Sequence, residues 1–185
     1  RDFEFEYGTW SVQHRRLVDR LVGCDEWEHF EGTTICAPIL GGVGNFEQVW
    51  MPSIDTIGMA LRLFDESTRE WSIYWSSSRT GRLEPPVVGR FVNGVGTFEA
   101  DDAFNGRPIR VRFIWDTISS DCPRWTQSFR QDGDLDWEDN WVMDFTRRSH
   151  DAPAASNTQP LPHEPLGDVR TSSQAESREI GTSDR

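Results

Sequence analysis

The strictest constraint on what this chain can fold into is a two-residue period across residues 57–75. Ile57, Met59, Leu61 and Leu63 alternate with Gly58, Ala60, Arg62 and Phe64. Residues 65–70 supply polar turn chemistry, after which Trp71, Ile73 and Trp75 alternate with Ser72, Tyr74 and Ser76. Successive side chains of a strand point to opposite faces, so each run has one buried and one solvated side. Two such runs joined by a polar turn make an antiparallel hairpin.

The same device recurs along the chain. Alternating runs occupy residues 3–17, 27–39, 46–51, 87–92, 96–100, 108–115, 124–130 and 137–145. Asn93-Gly94 is a two-residue hairpin signal, Asn105-Gly106 punctuates again, and Pro85-Pro86 excludes ladder pairing. About ten strands joined by hairpins, with no helical period, predict an all-β antiparallel meander that closes into a roughly ten-stranded barrel over residues 1–148. From Ser149 the composition turns to Ser, Thr, Pro and acids with almost no aromatics, which predicts a disordered acidic tail over 149–185.

Charge and residue usage narrow the function. The net charge is −12, which opposes attraction to nucleic acid or to an anionic membrane. No apolar stretch is long enough to span a bilayer as a helix. All nineteen basic residues are arginine, so neither a P-loop lysine nor a Schiff-base lysine exists. Cys24, Cys36 and Cys122 are unclustered and make neither a disulfide framework nor a CxxC metal site, so a reduced, cytoplasmic setting is the default expectation. No secretory leader is visible from Arg1. Asp132-Gly133-Asp134-Leu135-Asp136 imitates a calcium loop, but Trp137 stands where that loop needs glycine. No metal or other cofactor is expected.

Nine Trp and eleven Phe, nearly all before residue 146, either fill the barrel or line a cavity in it. Trp10, Trp71, Trp75, Phe113, Trp115 and Trp141 fall on apolar parities of separate strands. With His14 and Gln127 as polar points they are the candidate ligand-binding residues. His29 and Asp139 share the expected inner face with those two, and a His–Asp pair has the chemistry of a general base. Arg79, Arg82 and Arg90 flank the proline loop, where they either meet an anionic ligand or pair with acids such as Glu84 and Glu99.

Gly8-Thr9-Trp10 on the first long strand, the ten-strand meander and Arg147-Arg148 at the end of the last strand together resemble the lipocalin-like (calycin) barrels. Trp71-Ser72-Ile73-Tyr74-Trp75 and Trp137-Glu138-Asp139-Asn140-Trp141 are similar to small bacterial lipocalin-like domains of unknown function. The strand count is more distantly nitrobindin-like. The resemblance covers residues 3–148. It implies that Trp10 sits at a closed end under an arginine from the last strand, Arg147 or Arg148, and that the barrel holds a small molecule. Haem, which the nitrobindin likeness brings in, requires an axial histidine on a late strand. His150 and His163 lie past the barrel, so haem is not expected. Three functions stay open: a noncatalytic binder of an apolar or aromatic small molecule, a cyclase- or isomerase-type enzyme using His14 as acid or base, and a filled structural barrel.

Overall fold

Ten antiparallel strands, each hydrogen-bonded to the next in sequence, close into a barrel when the last returns to the first. In this computed structural model, which describes residues 2–118 and 121–148, a 3-10 turn at Glu4–Glu6 precedes β1 (Gly8–Leu17). Then follow β2 (Trp27–Ile39), β3 (Gly44–Met51), β4 (Thr56–Asp65), β5 (Glu70–Ser77) and β6 (Val87–Val92). The remaining strands are β7 (Val95–Phe104), β8 (Arg107–Asp116), β9 (Arg124–Gln131) and β10 (Glu138–Arg147). The expected all-β closed barrel is therefore present, and it is compatible with a lipocalin-like fold. The tail expected to be disordered lies outside the described residues. Among those described, no helix is long and apolar enough to cross a membrane.

One end of the barrel is plugged by the chain's own beginning. Phe3 is fully buried and meets Trp71 and Phe91 edge-on, with ring centroids 5.0 and 4.9 Å away. Trp10 is also fully buried, and its indole Nε1–H donates to the Glu6 carbonyl at 2.7 Å. The Arg147 guanidinium lies 3.9 Å from the Trp10 ring centre and donates to the carbonyls of Phe5 and Tyr7, each at 2.8 Å. Gly8 has φ +116°, and a Cβ there would stand 3.1 Å from Arg147 Nη1, so glycine lets the backbone pass beneath the guanidinium. Of the two arginines, Arg147 covers Trp10, while Arg148 donates from Nε to the Ser11 hydroxyl.

The hydrophobic pattern misassigns the faces of three neighbouring strands. On β4 the inward residues are Thr56, Gly58, Ala60, Arg62 and Phe64, while Ile57 is 42% exposed. On β3, Asn45 and Glu47 point in and Phe46 points out. The same holds on β2, where Phe30, Thr34 and Cys36 are buried and His29 and Ile35 are exposed. The seam between β5 and β6 is short: only Trp71–Gly89, Ser72–Val88 and Ile73–Val87 pair across it.

Candidate functional site

The interior is not filled. A cavity of about 210 Å³ runs from the plugged end to a mouth formed by Glu84, Pro85, Asp101 and Asp102, all of them exposed. Strand parity delivers its wall: Trp75 from β5, Val111, Phe113 and Trp115 from β8, Trp125, Gln127 and Phe129 from β9, and Trp141, Met143 and Phe145 from β10. Of the eight residues singled out from the sequence, His14, Trp75, Phe113, Trp115, Gln127 and Trp141 line this space. Trp10 and Trp71 stand apart from it in the plugged end, where Trp71 donates to the Asp2 carboxylate at 3.0 Å.

His14 is 1% exposed and stacks on Phe30, the rings 4.6 Å apart and 9° from parallel. Gly32 makes room for it, since a Cβ there would lie 2.6 Å from His14 Nε2. The Trp141 indole donates to His14 Nδ1 at 3.2 Å. Nδ1 is thus the unprotonated nitrogen, and the neutral ring carries its proton on Nε2. Burial, reinforced by the nearby Arg16 charge, lowers the His14 pKa to about 4. A base that weak is neutral throughout the physiological range.

His29 does not join it. The β1–β2 register places Phe30 opposite His14, which turns His29 to solvent. Asp139 is likewise outside, where it accepts from the Ser128 hydroxyl at 2.5 Å. The register slips between Asp139 and Trp141, and that bulge brings the fully buried Asn140 beside Gln127, which donates to its Oδ1 at 2.9 Å. One inserted residue reverses the parity of everything beyond it. His29 and Asp139 therefore do not join His14 and Gln127 on the inner face, and no His–Asp pair forms there.

In its place stands an ion cluster that sequence reasoning missed. Arg62, on β4, donates from Nη2 to Glu47 at 2.5 Å and to Glu6 at 2.9 Å, and from Nη1 to Asn45 at 3.0 Å. Thr34 donates its hydroxyl to Glu47 at 2.6 Å. All five side chains are buried, and Glu47 and Arg62 form part of the cavity wall. Burial raises the Glu6 carboxyl well above the usual range, Arg62 opposes that rise, and the adjacent Glu47 adds to it. For Glu47, burial is outweighed by Arg62 together with hydrogen bonds from Glu6, Thr34 and Arg62, which hold it low. Burial thus favours the neutral form of Glu6, while Arg62 favours the carboxylate of Glu47.

Of the three arginines flanking the proline loop, Arg79 and Arg90 are engaged with the protein itself, and Arg82 is exposed. Arg79 donates to the Thr56 hydroxyl at 2.8 Å and to the Ile54 carbonyl, and Arg90 pairs with Glu70 at 2.7 Å. The mouth itself is acidic: partial desolvation of the Glu84 carboxyl, and Asp102 beside it, raise the Glu84 pKa. Among the described residues no group of three or more His, Cys, Asp or Glu side chains is placed to hold a metal ion. No known family model matches the chain, and no curated protein does.

Proposed function

We propose that the protein binds an apolar or aromatic small molecule inside the barrel, as the lipocalin-like resemblance implies. The observation that carries this reading is the aromatic-walled cavity that reaches a solvent-exposed mouth. Its volume lies between the roughly 150 Å³ that suffices for benzene and the roughly 300–1,000 Å³ of drug-sized sites, which suits a molecule of one or two rings. A barrel that serves only as scaffold would fill that space with side chains.

The enzymatic alternative draws on the titratable groups at the cavity wall, His14 and Glu47. Binding without chemistry is the better reading for two reasons. His14 is a poor base at neutral pH, and the Glu47 oxygens are already engaged by Arg62 and Thr34.

The test is an apolar fluorescent probe titrated into wild type and into Ala100→Phe, which fills the cavity from β7. Saturable binding near one probe per chain, lost in Ala100→Phe while the far-ultraviolet spectrum is kept, is the expected result. Native mass spectrometry of protein from its own host should show one retained small molecule. A wild-type protein that takes no probe and retains no mass would leave the structural-barrel reading standing.

A further inference from the structure

One glycine of the barrel wall has no turn to explain it. Gly58 lies within β4, and its φ is not among the positive values found at the turn glycines. A glycine inside a strand weakens it and marks a place where another group comes close. Here that group is the indole of Trp75. A Cβ on Gly58 would stand 2.1 Å from Trp75 Cη2 and 2.6 Å from Cζ2, far inside contact distance, and the three nearest atoms all belong to that ring.

The register explains the reach. Trp75 on β5 pairs with Ala60, and Gly58 pairs with Ser77, so the ring leans diagonally across onto β4. Strand side chains ordinarily stand out from the sheet, which for an inward residue of a barrel means into the interior. The Trp75 ring lies down along the wall instead, because Gly58 has no side chain to hold it off. Pairing of β5 with β6 ends at Ile73–Val87, and the Trp75 carbonyl accepts the Glu84 N–H at 2.8 Å. Since Glu84 belongs to the mouth, the ring borders the cavity near its open end. A methyl group on residue 58 would lift the ring off the wall and into the space a ligand needs.

Resting on the binding role proposed above, we infer that Trp75 is the specificity-determining wall of the cavity and Gly58 the positioning residue that folds it back. The ligand class this arrangement admits is an aromatic of two fused rings. The cavity holds about 210 Å³, and roughly 150 Å³ suffices for benzene. A Trp75 ring that intruded by about 60 Å³ would leave room for a single ring only.

Phenol and 2-naphthol, which differ by one fused ring, test this by calorimetry at pH 7. Wild type should bind both at one per chain, 2-naphthol the more tightly. Gly58→Ala should lose about tenfold in 2-naphthol affinity, the usual scale of overpacking, and change little towards phenol. Gly58→Ala combined with Trp75→Leu should regain the wild-type preference, since no indole is left to lift. A glycine that merely eases β4 would weaken both ligands alike or neither, and Trp75→Leu would rescue nothing. Either outcome overturns this inference while sparing the cavity-binding role. If a Gly58 variant fails to fold, Trp75→Leu alone decides: it should admit the three-ring 2-anthrol, which wild type excludes. An unchanged size limit in that variant would overturn the inference. No binding of either phenol or 2-naphthol by wild type would overturn both readings.

Discussion

At the scale of single residues, the interior is governed by titrating groups that pull in opposite directions. An unfolded histidine titrates near 6.5 and the native His14 near 4. Between those values the unfolded chain takes up a proton that the native state refuses. Stability linked to His14 is therefore complete above pH 6.5 and lost as the pH falls towards 4, by at most about 3 kcal/mol. Glu6 works the other way. Its native carboxyl keeps its proton to higher pH than an unfolded glutamate, so its contribution is complete below the ordinary glutamate value of 4.5 and lost as pH rises through its native titration. Urea midpoints of wild type and His14→Gln, compared at pH 7 and pH 4.5, separate the two. Wild type should lose stability relative to the variant on acidification, and parallel profiles would remove His14 from the account. The histidine was legible as an inner polar point, because it shares parity with Trp10 and Val12 on one strand. Arg62 was not. Its partners Glu6, Asn45 and Glu47 lie 15 to 56 positions away, and no local window shows that an inward arginine will find two carboxylates waiting.

At the scale of elements, strand number and turn positions were readable because turn chemistry is local. Asn93-Gly94 and Asn105-Gly106 carry the positive φ that their hairpins require. Which face points inward was not readable on β2, β3 and β4. Local hydrophobicity there is higher outside, at Ile35, Phe46 and Ile57, than among the inward Thr34, Asn45, Glu47 and Arg62. The bulge at Asn140 defeated parity in the same way, since nothing in the sequence marks an extra residue in a strand. The short β5–β6 seam has a dynamic consequence. Three paired positions hold it, whereas seven join β1 to β10. The adjoining Pro85 and Pro86 donate no backbone hydrogen bond. Amides of β6 should therefore exchange with deuterium before those of β1, and a bound apolar probe should slow that exchange. Equal protection of the two strands would show that the seam is as firm as the rest of the wall.

At the scale of the whole molecule, the barrel divides into a packed end and a hollow one. Trp10 is fully buried among side chains and held through its indole N–H and by Arg147. Trp75 and Phe113 face the cavity and are only partly buried. Trp10→Ala should cost ~3–5 kcal/mol, a large part of a small domain's stability, and Trp75→Ala or Phe113→Ala distinctly less. Chemical denaturation of the three variants measures the gradient. Equal losses would mean that both ends are packed alike.

The closure of β10 onto β1 also bears on how the protein is made. Ser11 and Arg148, hydrogen-bonded across that closure, are 137 positions apart. A ribosome adding ~5–20 residues per second leaves the first strand waiting on the order of ten seconds for its second neighbour. Throughout that interval the nascent sheet has an open edge on β1, ready to pair with any other extended chain. The ring has no edge once complete, so the polypeptide is most exposed to mispairing on the ribosome and for the moments just before β10 emerges.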